Sequence, residues 1–361
     1  MKVCVYGICK DEEQFVDRWV DSMQEADEIY VLDTGSRDQT VAKLKERGVH
    51  VEQKVIIPWR FDVARNESLK LVPEDCDVCV CTDLDEVLMP GWREIIERSW
   101  TPQTKRGRYR YTWSFNVDGS EGCVFDYEKI HARQEYQWIY PVHEVLKYSG
   151  QEPEKVVYLQ GVQLNHYPDP SKTRAQYLPL LELSVAENPN DDRNTHYLGR
   201  EYFFHARYEE AIAMLKRHLS LPNATWDAER AASMRYIAQS YKGLGDYESS
   251  KLWFFKAIKE APYLREGYIE LAIQFYEESD WLGVAFMIEK ALEIKERPLV
   301  YMTDPKAWDY TPYDLGAISQ YHLRNYEKAL IYAQRALNNR PNDARLQQNY
   351  QFIAMKLNQK E

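Results

Sequence analysis

A chain of 361 residues, 44% of them hydrophobic, is long enough for about two domains and apolar enough to build cores, which excludes a disordered protein. A net charge of −11 disfavours broad, nonspecific binding to nucleic acid or anionic lipid. No apolar run approaches the ~20 residues that a membrane span needs.

The opening segment, an apolar run at residues 3–9 halted by Lys10-Asp11-Glu12-Glu13, reads as a strand and a turn rather than a signal peptide. Helical spacing of Phe15, Trp19 and Met23 follows, then a second strand over residues 28–32 ending in Asp33-Thr34-Gly35-Ser36. A helix over 38–47, a strand over 49–55, a helix over 61–71 and a strand over 77–82 complete the series. The last strand leads into Asp83-Leu84-Asp85-Glu86. Repeated strand–helix units predict a mostly parallel sheet with helices on both faces. Ligands of such sheets bind beyond the C-terminal strand ends, where Asp33 and the acids at 83–85 are expected. From residue 107 to about 166 the pattern turns to aromatic-rich β segments and loops. The six cysteines, at 4, 9, 76, 79, 81 and 123, lack a second CxxC or an HxxxH; they read as buried, reduced thiols and imply a cytoplasmic setting.

The second half changes period. Four helical pairs are marked by Tyr197 to Leu215, by Ile237 to Pro262, by Leu271 to Pro298 and by Tyr313 to Pro341, with a capping helix over 342–358. Small and aromatic residues recur in a unit of about 34, as in the tetratricopeptide repeat. Residues 231–264 fit best; the others are unevenly spaced, with an insertion over 300–310. The repeats imply an interaction surface, with self-association among its uses.

Asp83 and Asp85, two apart just past a strand, project to one side and repel each other unless a cation lies between them. Hard divalent cations such as Mn2+ or Mg2+ take oxygen ligands and bridge carboxylates to diphosphates. Glu144, beside His143 on a loop, is a candidate general base for a group transfer.

Five motifs in order resemble the family 2 glycosyltransferases of GT-A fold, in the branch of the sublancin S-glycosyltransferase and the lipopolysaccharide-core glucosyltransferases. They are Asp33-Thr34-Gly35-Ser36, Phe61-Asp62-Val63-Ala64-Arg65-Asn66, Cys81-Thr82-Asp83-Leu84-Asp85-Glu86, Tyr140-Pro141-Val142-His143-Glu144 and Leu164-Asn165-His166. The resemblance implies an α/β GT-A domain over 1–170, a Rossmann-like mixed sheet. A connecting helix or linker over 171–190 and a tetratricopeptide-repeat solenoid over 191–361 follow. It further implies metal-assisted, inverting transfer of a sugar from a nucleotide-diphosphate donor, with uridine the expected base. In that scheme Asp33, Arg65, Asn66 and Asp83 hold the nucleotide-sugar, Asp85, Asp83 and His166 hold the divalent cation, and Glu144 with His143 is catalytic. The acceptor is open between a glycan or lipopolysaccharide, a peptide side chain and, in a phage, a hydroxymethylated DNA base. The alternative is a repeat scaffold whose first domain is a non-catalytic relative. A nucleotidyltransferase would require a Gly-rich loop near the first strand, and Gly7-Ile8-Cys9-Lys10 is not one.

Overall fold

The computed structural model describes residues 1–116, 118–170 and 175–358. The chain divides into two compact units, Met1–Glu187 and Asn188–Glu361. The boundary falls inside the segment expected as a linker. No described helix is long and apolar enough to cross a membrane.

The first unit runs β1 (Val3–Cys9), α1 (Val16–Met23), β2 (Glu28–Asp33), α2 (Thr40–Glu46), β3 (His50–Gln53), α3 (Phe61–Leu71) and β4 (Val78–Cys81). It continues with β5 (Glu86–Leu88), α4 (Trp92–Ser99), β6 (Arg106–Thr112), β7 (Val124–Ala132), β8 (Tyr136–Ile139), β9 (Val145–Tyr148), β10 (Val156–His166) and α5 (Tyr177–Glu187). Eight strands form one sheet in the order β3-β2-β1-β4-β7-β6-β10-β5. β3, β2, β1 and β4 are parallel, as expected. β7 then joins antiparallel to both β4 and β6, so the sheet is mixed, as expected of the first domain, where strand–helix repetition by itself predicts a mostly parallel one.

Period-2 alternation explains why both faces are covered. Val3, Val5, Val78 and Val80 turn one way, onto Trp19, Met23, Leu44, Trp92 and Ile96 of α1, α2 and α4. Cys4, Tyr6, Cys79 and Cys81 turn the other way, onto Leu69, Tyr136 and Trp138 of α3 and β8. The six cysteines are free and buried, serving as small apolar groups. Two elements, β5 and α4, were not legible in the sequence. α2 starts at Thr40 rather than 38 because Asp38 accepts hydrogen bonds from the Thr40 amide (3.0 Å) and the Glu13 amide (3.1 Å), holding the preceding residues in a turn.

The second unit is all helix: α6 (Asp192–Phe204), α7 (Tyr208–Ser220), α8 (Asp227–Gly243), α9 (Tyr247–Glu260), α10 (Arg265–Glu277), α11 (Trp281–Glu293), α12 (Thr311–His322), α13 (Tyr326–Asn339) and α14 (Ala344–Asn358). Each pair turns through one left-handed residue: Ala206, Gly245, Ser279 and Arg324, with φ of 55°, 81°, 59° and 62°. At each turn the next amide donates to a carbonyl five residues back (Arg207 to Tyr202, Asp246 to Tyr241, Asp280 to Phe275, Asn325 to Gln320), all at 2.9 Å. This satisfies the orphan carbonyls of the first helix. Asp246 and Asp280 then cap the second helix by accepting from the Ser249 and Gly283 amides. An aromatic residue follows each turn: Tyr208, Tyr247, Trp281 and Tyr326. The four pairs and the final helix match the tetratricopeptide-like architecture expected of this half. The insertion between α11 and α12 holds a short 3-10 turn, Pro305–Ala307.

Candidate functional site

At the C-terminal end of β2, Asp33 is fully buried. Its carboxylate accepts from the Ser36 amide (3.1 Å), the Ser36 hydroxyl and the Gln53 side-chain amide (3.2 Å). In this position Asp33 shapes the turn after β2. Asn66 is likewise engaged with backbone: its side chain donates to the Trp138 carbonyl (2.8 Å) and accepts from the Trp138 amide (2.9 Å), tying α3 to β8.

The structure brings Arg65, Asp83 and Glu144 together. Arg65, only 3% exposed, lies 2.6 Å from Asp83 Oδ1 and 3.0 Å from Glu144 Oε1, with its guanidinium 5.5 Å from the centroid of the Trp138 ring. Three residues to which the sequence assigned no role, Lys129, Glu86 and Tyr111, complete the cluster. Lys129 of β7 donates to Asp83 Oδ2 at 3.2 Å and lies 3.9 Å from Glu86. Glu86 in turn accepts from the Asp83 amide and the Tyr111 hydroxyl, both at 2.8 Å. The only signal for Lys129 was an isolated cation in the run Tyr127-Glu128-Lys129-Ile130; its partner lies in another strand.

These positions fix the charge states. Burial alone would raise the Asp83 carboxyl, but Arg65 and Lys129 more than offset this and hold it well below the usual carboxylate range. Burial would lower Arg65 and Lys129, but the facing carboxylates hold both well above their ordinary values. Glu86 is raised, chiefly by burial.

Asp85 points elsewhere. Its Oδ2 lies 3.3 Å from His166 Nε2, while His166 Nδ1 lies 2.9 Å from the Trp113 carbonyl and the ring stacks on Trp113. Burial lowers the His166 pKa, but the Asp85 contact outweighs this and raises it. His143 adopts φ 51°, and Tyr140, three residues earlier, φ 80°. The loop presenting Glu144 to Arg65 is thus held in a backbone region that L-residues rarely occupy. The His143 ring meets Tyr177 edge-on at 5.6 Å.

The donor set does not fit a divalent cation held jointly by Asp83, Asp85 and His166. Both Asp83 oxygens face fixed cations, and Asp85 is paired with His166. Among the described residues no group of three His, Cys, Asp or Glu gathers to hold a metal. The reason is geometric: the two acids sit in a turn before β5, not in an extended strand, so their side chains diverge.

No family model matches this chain, and no curated protein matches it. Among solved structures it is similar to MamA (15% identity, TM-score 0.38, covering 46% of this chain and 89% of that one). It is similar also to the pilF protein of Pseudomonas aeruginosa (14%, 0.38, 49% and 72%). A third is the C-terminal part of a TPR repeat-containing protein of Cytophaga hutchinsonii (16%, 0.42, 52% and 67%). At these TM-scores the likenesses carry no conclusion by themselves; the repeat architecture rests on the helix pairs and their turns. The resemblance to family 2 glycosyltransferases is corrected: no family model matches the chain, and none of these neighbours is named as a glycosyltransferase. Five short motifs in order did not amount to a family.

Proposed function

We propose that the protein is a repeat scaffold whose helical unit docks a partner protein. One observation carries this reading. The sixth residue of three successive second helices, Leu252 of α9, Phe286 of α11 and Ile331 of α13, is a large apolar side chain left 54%, 54% and 55% exposed. An apolar residue recurring at one repeat position forms a row on one face, and such exposed rows mark interaction surfaces. The test replaces all three with Glu in the full chain. Cross-linking mass spectrometry should identify a partner, a second copy included, attached along this face of the wild type and lost from the variant at unchanged helical circular dichroism. Equal recovery from both would sink the reading.

A second reading is favoured by the Arg65–Asp83–Glu144–Lys129 cluster at the C-terminal end of β4, where ligands of open α/β sheets bind. In this reading the first unit binds a nucleotide-diphosphate sugar, with Arg65 as the donor contact, and transfers its sugar to an acceptor hydroxyl: Glu144 takes the hydroxyl proton as the oxygen bonds to the anomeric carbon and the nucleoside diphosphate leaves. Calorimetry with uridine-, guanosine- and thymidine-diphosphate sugars tests it. Binding should be measurable and weakened about tenfold or more by Arg65→Ala; absence of binding to all three excludes it.

A further inference from the structure

The insertion between α11 and α12 does not loop out into solvent. Within residues 299–308, the stretch from Tyr301 to Trp308 crosses the first helices of the three preceding pairs in their chain order, α6, then α8, then α10. Tyr301 stacks on Tyr197 of α6 (6.3 Å) and packs at 5.4 Å from Trp226, while its hydroxyl donates to Glu229 of α8 at 2.7 Å. Met302 is buried among Ala228, Ala231, Ala232, Ala261 and Leu264. Trp308 lies under the Arg265 guanidinium of α10 at 4.1 Å and donates to Glu266 at 2.8 Å.

The main chain of this segment is read by side chains. Arg235 donates to the Met302 carbonyl (3.2 Å), Glu266 accepts from the Asp304 amide (3.0 Å) and Arg265 donates to the Ala307 carbonyl (3.4 Å). These four groove residues, Glu229, Arg235, Arg265 and Glu266, are all buried. Charged side chains are rarely buried in a helix bundle, because desolvation costs more than an apolar contact would. Glu266 receives both of its hydrogen bonds from the segment, while Glu229, Arg235 and Arg265 serve it in addition to His218 (3.3 Å), Glu270 (3.0 Å) and the Ile294 carbonyl (3.0 Å). Main-chain groups held by hydrogen bonds and side chains seated in pockets are how grooves recognise peptides.

We propose that residues 299–308 are a built-in occupant of a peptide-binding groove on the first-helix face, a strap displaced by a partner's segment that follows the same turned course and carries two aromatic anchors placed like Tyr301 and Trp308. The inference rests on the scaffold reading for the existence of a partner. It adds a second, self-covered surface to the open row on the second helices. A groove that is free only in a fraction of molecules binds with an affinity reduced by that fraction. A strap seated in 90–99% of molecules therefore weakens binding about 10–100-fold.

The test uses the full chain and a labelled peptide of residues 298–309, read by fluorescence anisotropy. In one variant residues 299–308 are replaced by Gly and Ser at equal length. The peptide is expected to bind this variant at one site, at least about tenfold more tightly than it binds wild type. A peptide with both aromatics changed to Ala should not bind. No binding to a folded variant overturns the proposal. So does loss of the helical fold in the variant, which would make the strap part of the core. Hydrogen exchange on the wild type is the second measure. Amides 300–308 must exchange faster than those of α8 and α10, because a displaceable strap opens without unfolding the helices; equal protection overturns the proposal. The assay needs no partner, so its outcome is separate from that of the Glu substitutions on the second helices.

Discussion

At the residue scale, Asp83 shows how one short motif can be read two ways. In the sequence it is half of an acid pair awaiting a cation; in the fold it already has two, Arg65 and Lys129. A third of its side chain is exposed, so solvent screens part of the interaction. The two cations are buried, however, and Asp83→Asn leaves them short of a counter-charge. The expected loss is about 1–3 kcal/mol, less than for a fully buried pair because Arg65 keeps Glu144 and Lys129 keeps Glu86. Urea denaturation would measure it; an unchanged midpoint would mean that the network contributes nothing to stability.

Among elements, the repeat turns and the helix contacts use glycine for different reasons. Gly199 of α6 faces Leu215 of α7, and a Cβ there would come within 2.5 Å of its Cγ. Gly199→Ala should push the two helices apart, at a cost of about 1–3 kcal/mol. Gly245, at the turn between α8 and α9, has nothing within 4 Å of an added Cβ, but its φ is 81°. There Ala costs only the left-handed backbone, about 1–2 kcal/mol. The two are told apart by hydrogen exchange: the first substitution should speed opening across both α6 and α7, the second only at the turn. The repeat period was legible because each pair repeats these constraints, a small residue at the crossing and an aromatic after the turn. α4 was missed because its eight residues carry too few apolar positions to show a period; Trp92 and Ile96 are its only buried ones.

For the whole molecule, acid sensitivity is built into both units. His131 in the sheet unit and His196 in the helical unit are fully buried, and burial pushes each pKa down to about 3. His131 is held neutral: the Tyr6 hydroxyl lies 2.8 Å from Nε2, and Nδ1 meets the Ala132 carbonyl at 2.7 Å. The unfolded chain binds a proton at each below ~6.5, while the folded chain does not until about 3. Stability from these groups is therefore complete above ~6.5 and falls as pH drops towards 3, by up to ~1.4 kcal/mol per pH unit per histidine. Urea midpoints between pH 7 and 4.5 should show this slope, and His131→Gln should flatten it for the first unit. A slope unchanged in that variant would assign the acid loss to other groups.

What depends on local repetition could be read from the chain alone. The strand–helix alternation of the first half, the two-faced burial of β1 and β4 and the helical pairs of the second half all follow from apolar period. The insertion at 300–310 was visible as a break in that period. Tertiary structure alone decided where polar side chains find partners. Lys129 reaches Asp83 across 46 positions, Arg65 reaches Glu144 across 79, and Tyr301 reaches Glu229 across 72. Burial is written into the chain by hydrophobic spacing, residue by residue. A hydrogen bond or ion pair between distant segments is not, because it depends on the direction in which each backbone presents its side chain once the sheet and the helices have packed.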